Sequence, residues 1–138
     1  MQGRSRWLRA LGLIVLGVLT WFMFAPAAVG GPVTYLVTHG NSMEPRVVQG
    51  DLVVVRSSGR YAVGDAVAYY SDQLRVIAFH RIAAISPEWR YTFKGDNNSW
   101  LDPDKPTVEA LFGKEWLHIP RGGIWLRRIA NPVNLGAL

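Results

Sequence analysis

The chain contains no cysteine, which removes disulfides, thiolate nucleophiles and thiolate metal sites from consideration. Histidine is scarce as well. His39, His80 and His118 are scattered, with no two spaced i, i+4, so no metal site is expected. No glycine loop of phosphate-cradling or dinucleotide-binding spacing occurs, so no organic cofactor is expected either. Acidic residues number 10 against 15 basic ones, a formal charge of +5, yet Arg4, Arg6 and Arg9 hold three of those positive charges near the N-terminus. The remainder carries 12 basic and 10 acidic residues, too balanced for a nucleic-acid footprint. At 138 residues there is room for one domain with a modest core.

What the chain does have is one long apolar run. Ala10 to Val29 carries no charge and a single hydroxyl, Thr20. A helix of about 20 such residues spans a hydrocarbon layer of about 30 Å. Arginines before the run and none just after it predict a cytoplasmic N-terminus and an extracytoplasmic remainder. This gives a basic segment 1–9, a membrane anchor 10–29 and one outer domain 30–138. A cleaved secretory leader is the competing reading, because Ala25-Pro26-Ala27 has small residues where such a cleavage site needs them. The run exceeds the about 7–15 residues of a leader's apolar region, which favours a retained anchor in contact with lipid.

Beyond Gly30-Gly31-Pro32 the pattern is β. Val33–Thr38, Leu52–Val55, Ala66–Tyr70 and Val76–Ile85 are rich in β-branched and aromatic residues between polar or glycine breaks. Tyr91-Thr92-Phe93 predicts a short strand leading into a Gly95-Asp96-Asn97-Asn98 turn, residues 99–108 an ordered loop, and Leu117–Ile119 a late strand. The apolar tail from Ile124 to Leu135, with Arg127-Arg128, fits either an amphipathic helix or a last strand.

Three places in this pattern carry chemistry. Ser42 lies between strands in Gly40-Asn41-Ser42-Met43-Glu44-Pro45. A serine in such a turn commonly caps its own backbone, and becomes a nucleophile only where a base takes its proton. His80 closes an apolar strand just before Arg81, and a neutral imidazole is the side chain best matched to that task near neutral pH. His39 is near Ser42 in sequence but badly placed to face it on an extended chain, and His118 reads as structural. Lys94 is the alternative base. Asp96 and Asp102 flank one loop, and either could hold the second imidazole N–H and fix the tautomer; the other would stitch the loop by accepting backbone N–H groups.

Taken in order, Gly40-Asn41-Ser42-Met43-Glu44-Pro45, Gly50-Asp51-Leu52-Val53-Val54-Val55, His80-Arg81-Ile82 and Lys94-Gly95-Asp96-Asn97-Asn98 with Asp102 resemble the motif boxes of type I signal peptidases. The resemblance runs from the apolar segment to about Gly123. Most bacterial members, and the related repressor and conjugation proteases, use a lysine base. Here His80 stands at that position, which resembles the endoplasmic-reticulum-type branch; a neighbouring arginine is no substitute, because guanidinium stays charged. The resemblance implies a mostly antiparallel β domain whose apolar surface rests on the membrane. It implies Ser42 as acylating nucleophile, His80 as general base, Asp102 as the orienting carboxylate and Asp96 as a required neighbour. The Ser42 N–H would serve an oxyanion hole. Many relatives carry a second serine donor two residues before the nucleophile; Gly40 stands there in this chain, leaving Asn41 as the candidate.

The expected activity is removal of signal peptides from translocated preproteins, cut after small residues in Ala-x-Ala fashion, with or without accessory subunits. An extended substrate would add to a sheet edge, for which Val33–Thr38 and Ala66–Tyr70 are the candidates. A protease dedicated to a few surface or pilus proteins, and a non-catalytic anchored β module, are the alternatives.

Overall fold

The computed structural model of the chain describes residues 2–130, with side chains described from residue 6 to residue 128. Two compact units divide it, Met1–Val33 and Thr34–Leu138.

The first unit is dominated by helix α1, Gln2–Phe24, followed by a short 3-10 turn at Ala27–Val29. Its Arg6–Phe24 stretch is, among the described residues, the one helix long and apolar enough to cross a membrane by length and composition. The helix begins well before Ala10 because no proline lies between Gln2 and Arg9, Gly3 falls in its first turn, and arginine and leucine are good helix formers. It stops at Phe24 rather than Val29 because Ala25 precedes Pro26, and a residue before proline is pushed out of the helical region.

The second unit is a mainly antiparallel β domain. Its strands are β1 Val33–Val37 (Val33 itself falls in the first unit), β2 Leu52–Arg56, β3 Ala66–Ser71, β4 Val76–Ile85, β5 Tyr91–Lys94 and β6 Leu111–Ile119. They form one six-stranded sheet in the order β1-β2-β6-β3-β4-β5. The ladders β2/β6, β6/β3, β3/β4 and β4/β5 are all antiparallel. Helix α2, Gly122–Ala130, follows the last strand. The tail is thus helical up to Ala130, and its expected continuation to Leu135 lies outside the described residues.

Apolar clusters occupy both faces of the sheet. Alternate residues of a strand point to opposite faces, and β3 shows the consequence directly. Ala66 and Ala68 join Met43, Val47, Val53 and Val55 in one cluster, while Val67 and Tyr69 join Ile82, Tyr91 and Phe93 in the other. A strand buried on both faces and paired on both sides cannot be an edge. The expectation that Ala66–Tyr70 offers a free edge is therefore corrected: β3 lies between β6 and β4. β1 does lie at the end of the sheet. A second free edge comes from unequal strand lengths. β5 pairs only with Arg81–Ile85, so the Val76–His80 half of β4 has no strand on its outer side among the described residues.

Candidate active site

Ser42 sits half-buried in the turn after β1, and the residues around it are anchored. Met43 and Val47 sink into the first cluster. Burying such a side chain stabilises by about 1.5–3 kcal/mol, more than the about 0.5–1.5 kcal/mol of one neutral hydrogen bond, so apolar anchoring dominates in holding this turn against the sheet. The Gly95-Asp96-Asn97-Asn98 turn clamps it from the other side. The Asn97 N–H donates to the Ser42 carbonyl at 2.8 Å, and Asn97 Nδ2 donates to the Asn41 carbonyl at 3.1 Å. Asn97 thus does more than shape its own turn: it fixes the peptide plane that carries the Ser42 N–H.

This contact explains Gly95. A Cβ there would lie 2.6 Å from the Ser42 carbonyl oxygen and 2.7 Å from Asn98 Nδ2. Gly95→Ala is expected to cost about 1–3 kcal/mol of stability through overpacking, because the Ser42 carbonyl must shift to make room. Thermal melting of the variant checks this. Gly40 has a different reason to be glycine, with φ at +79°. A serine there would be strained, so position 40 offers no side-chain donor opposite Ser42.

His80 reaches Ser42 from the end of the free half of β4. Its Nε2 lies 2.8 Å from Ser42 Oγ, and its Nδ1 lies 2.5 Å from Asp102 Oδ2. An ionised carboxylate only accepts, so Nδ1 carries the ring proton and donates it to Asp102, leaving the Nε2 lone pair to accept the Ser42 hydroxyl proton. Asp102 is 8% exposed, its N–H bonded to the Phe93 carbonyl at 2.8 Å, which ties the loop after β5 to the sheet. Burial opposes ionisation of Asp102, but hydrogen bonds from His80 and Tyr69 outweigh it and hold its carboxyl below the usual range. The Tyr69 hydroxyl donates to the same oxygen at 2.8 Å.

Asp96, the other expected carboxylate, takes no part in this chain of contacts. Arg81 grips it with two nitrogens, Nε at 2.8 Å and Nη2 at 2.6 Å, while Arg81 Nη1 donates to the Gly64 carbonyl at 2.7 Å. The guanidinium, chiefly by hydrogen bonding, lowers the Asp96 carboxyl below its usual range. So the two aspartates have separate tasks: Asp102 holds His80, and Asp96 fastens its turn to the residue after His80.

The other candidates fall elsewhere. His39 accepts from Arg127 Nη2 at 3.1 Å, Lys94 pairs in register with Arg81, and His118 donates to Asp51 Oδ2 at 2.7 Å. Asp51 is 2% exposed and also accepts the N–H groups of Arg121 and Val48, so this histidine and aspartate pin the start of β2 to the end of β6. No cluster of side chains suited to a metal ion occurs among the described residues.

A cleft of about 450 Å³ opens beside Ser42. It lies between the end of β1 and the free half of β4, with Leu36, Met43, Val76, Ala78 and Phe79 in its wall and Ser42 and His80 at its rim. The family model for Peptidase S24-like proteins matches residues 20–109, which includes Ser42, His80, Asp96 and Asp102. The chain belongs to the Peptidase S24-like family. It is accordingly a serine peptidase domain, and the antiparallel sheet with a long apolar N-terminal helix agrees with that membership. No curated protein matches the chain. The S24-like match ends before β6 and α2, which complete the sheet and its end.

Proposed function

We propose that this S24-like peptidase is a membrane-anchored signal peptidase of the endoplasmic-reticulum-type branch, with Ser42 as nucleophile, His80 as general base and Asp102 as the orienting carboxylate. The observation that carries this reading is the unbroken hydrogen-bonded line from Ser42 Oγ through His80 to Asp102, at 2.8 and 2.5 Å.

The chemistry follows from that line. Ser42 Oγ attacks the scissile carbonyl as its proton passes to His80 Nε2, and the imidazolium forms against ionised Asp102. The carbonyl oxygen, now negative, is met by the Ser42 N–H, whose peptide plane Asn97 holds. His80 then gives its proton to the leaving amine, the acyl-enzyme remains, and a water activated by the same imidazole releases the product. Asp96 keeps the turn in place through Arg81 and touches no reacting atom.

Substrate choice is supported by the cleft. Two strand edges flank it, so an extended peptide can bond to backbone on either side and lay alternate side chains against the apolar wall. Such a site suits the segment before a cleavage point, with small residues at −1 and −3. Helix α1, with Arg4, Arg6 and Arg9 at its start, would hold the enzyme in the membrane with its N-terminus inside and its catalytic domain outside. Anchoring enzyme and preprotein in one bilayer raises their effective concentration.

The test is cleavage of a preprotein by the full chain reconstituted in lipid vesicles, with the new N-terminus read by mass spectrometry. Cleavage directly after Ala-x-Ala, lost when the −1 alanine becomes a bulky residue, is the expected result. Cleavage indifferent to the −1 residue would sink the signal-peptidase assignment while leaving a peptidase.

A further inference from the structure

We propose that Tyr69 is a positioning residue of the active site, its buried hydroxyl fixing Asp102 and sharing the carboxylate charge that would otherwise fall wholly on the His80 imidazole. This rests on the reading of Ser42, His80 and Asp102 as the proton relay. Tyr69 lies in the middle of β3, 1% exposed, two residues from Val67, which is directly opposite His80 in the β3/β4 ladder. Period-two alternation therefore brings Tyr69 to the same face as His80.

Its ring is stacked on Phe93, with centroids 4.1 Å apart and planes 9° from parallel. That clamp keeps the hydroxyl from turning away. Core packing alone would favour phenylalanine, because a buried hydroxyl is costly unless it is bonded. Here it is bonded to one atom, Asp102 Oδ2, the oxygen that also accepts the His80 Nδ1 proton. The hydroxyl is the weaker acid of the two partners: burial first, then the Asp102 hydrogen bond, push Tyr69 far above the ordinary tyrosine range, so it stays a donor throughout.

Two donors on one carboxylate oxygen compete. With Tyr69 in place, Asp102 keeps a fixed rotamer and holds the imidazole proton less tightly than a carboxylate with His80 as its sole donor. The imidazolium formed during acylation then remains acidic enough to protonate the leaving amine. The charged groups around this oxygen are few. His80 faces it from β4 and Tyr69 from β3, and Asp104 in the same loop acts on Tyr69 while bonded to Ser71. Asp96, neutralised by Arg81, faces His80 from the preceding turn.

The experiment is the pH dependence of kcat/KM for cleavage of an Ala-x-Ala peptide by the full chain in detergent or lipid. In Tyr69→Phe the carboxylate loses a competing donor and grips the imidazole proton harder. The acidic limb should move up by about half a unit to one unit, with kcat/KM at neutral pH falling about three- to tenfold. Placing 3-fluorotyrosine at position 69 strengthens the donor and should move the limb down; it keeps the ring and hydroxyl, so it serves even if Tyr69→Phe folds poorly. Opposite movements in the two proteins are expected. An unmoved limb in both, with activity following only the folded fraction, overturns the role of Tyr69. If Ser42→Ala is inactive in the same assay, that result removes Tyr69 alone; if Ser42→Ala still cleaves, the relay itself falls and the Tyr69 role with it.

Discussion

Ser42→Ala is expected to lower kcat for peptide cleavage by about four to six orders of magnitude, and His80→Ala to reach nearly the same floor. The double variant is expected to lose nothing further. The reason is that the two side chains act as one unit: a hydroxyl without a base is a feeble nucleophile, and a base without a hydroxyl has nothing to activate. The 2.8 Å contact between Ser42 Oγ and His80 Nε2 is the physical basis of that coupling. Initial rates on an internally quenched Ala-x-Ala peptide measure all three variants. Additive losses, or a His80→Ala enzyme within tenfold of the parent, would show that another group takes the serine proton. Lys94 would be the first suspect, although it lies on β5 opposite Arg81 rather than beside the serine.

The second large effect separates the two aspartates. Asp102→Asn is expected to reduce kcat by about 10²–10⁴-fold, because an amide can donate to Nδ1 and so stabilise the tautomer with its proton on Nε2, facing the serine the wrong way. Loss of the negative charge also leaves the imidazolium without its counter-ion. Asp96→Asn should behave differently. It weakens a partly exposed pair with Arg81, for which about 1 kcal/mol of stability and less than a tenfold loss of activity are expected. Melting temperatures and kcat, measured side by side, test the contrast. Equal losses of kcat in both variants with both proteins folded would mean that the arrangement around His80 does not define their roles.

Much of the fold is legible in the residues themselves. β4 runs from Val76 to Ile85 as its β-branched pattern predicts, and β1, β2, β3 and β5 each lie within a residue of expectation. β6 is the exception. Only Leu117–Ile119 reads as strand, whereas the strand begins at Leu111. Gly113, Lys114 and Glu115 interrupt the apolar pattern, and register shifts against β2 and β3 break the alternation on which such a reading depends. The free edge was half legible for a similar reason: sequence marks strands but not their neighbours, and only sheet order places β3 in the middle.

The candidate site shows the same division. Ser42 and His80 are singled out by residue type and company, but which of Asp96 and Asp102 contacts His80 needs distances, because both are aspartates in one loop. Arg81 decides it physically by occupying both oxygens of Asp96. Tyr69 carries no sequence signal at all; a tyrosine in a strand reads as packing, and only the hydroxyl's 2.8 Å approach to Asp102 distinguishes it from a phenylalanine. Asn97 was similarly hidden, since a turn asparagine looks the same whether it shapes its own turn or braces a neighbour.

The most direct measurement is capture of the acyl-enzyme. Full-length protein turning over an activated acyl peptide or ester is quenched rapidly in acid, digested, and its acylated peptide sequenced by mass spectrometry. The acyl group is expected on Ser42, and expected to be absent from Ser42→Ala protein treated identically. An acyl group on any other residue, or undiminished turnover in Ser42→Ala, would contradict the assignment of Ser42 as the nucleophile.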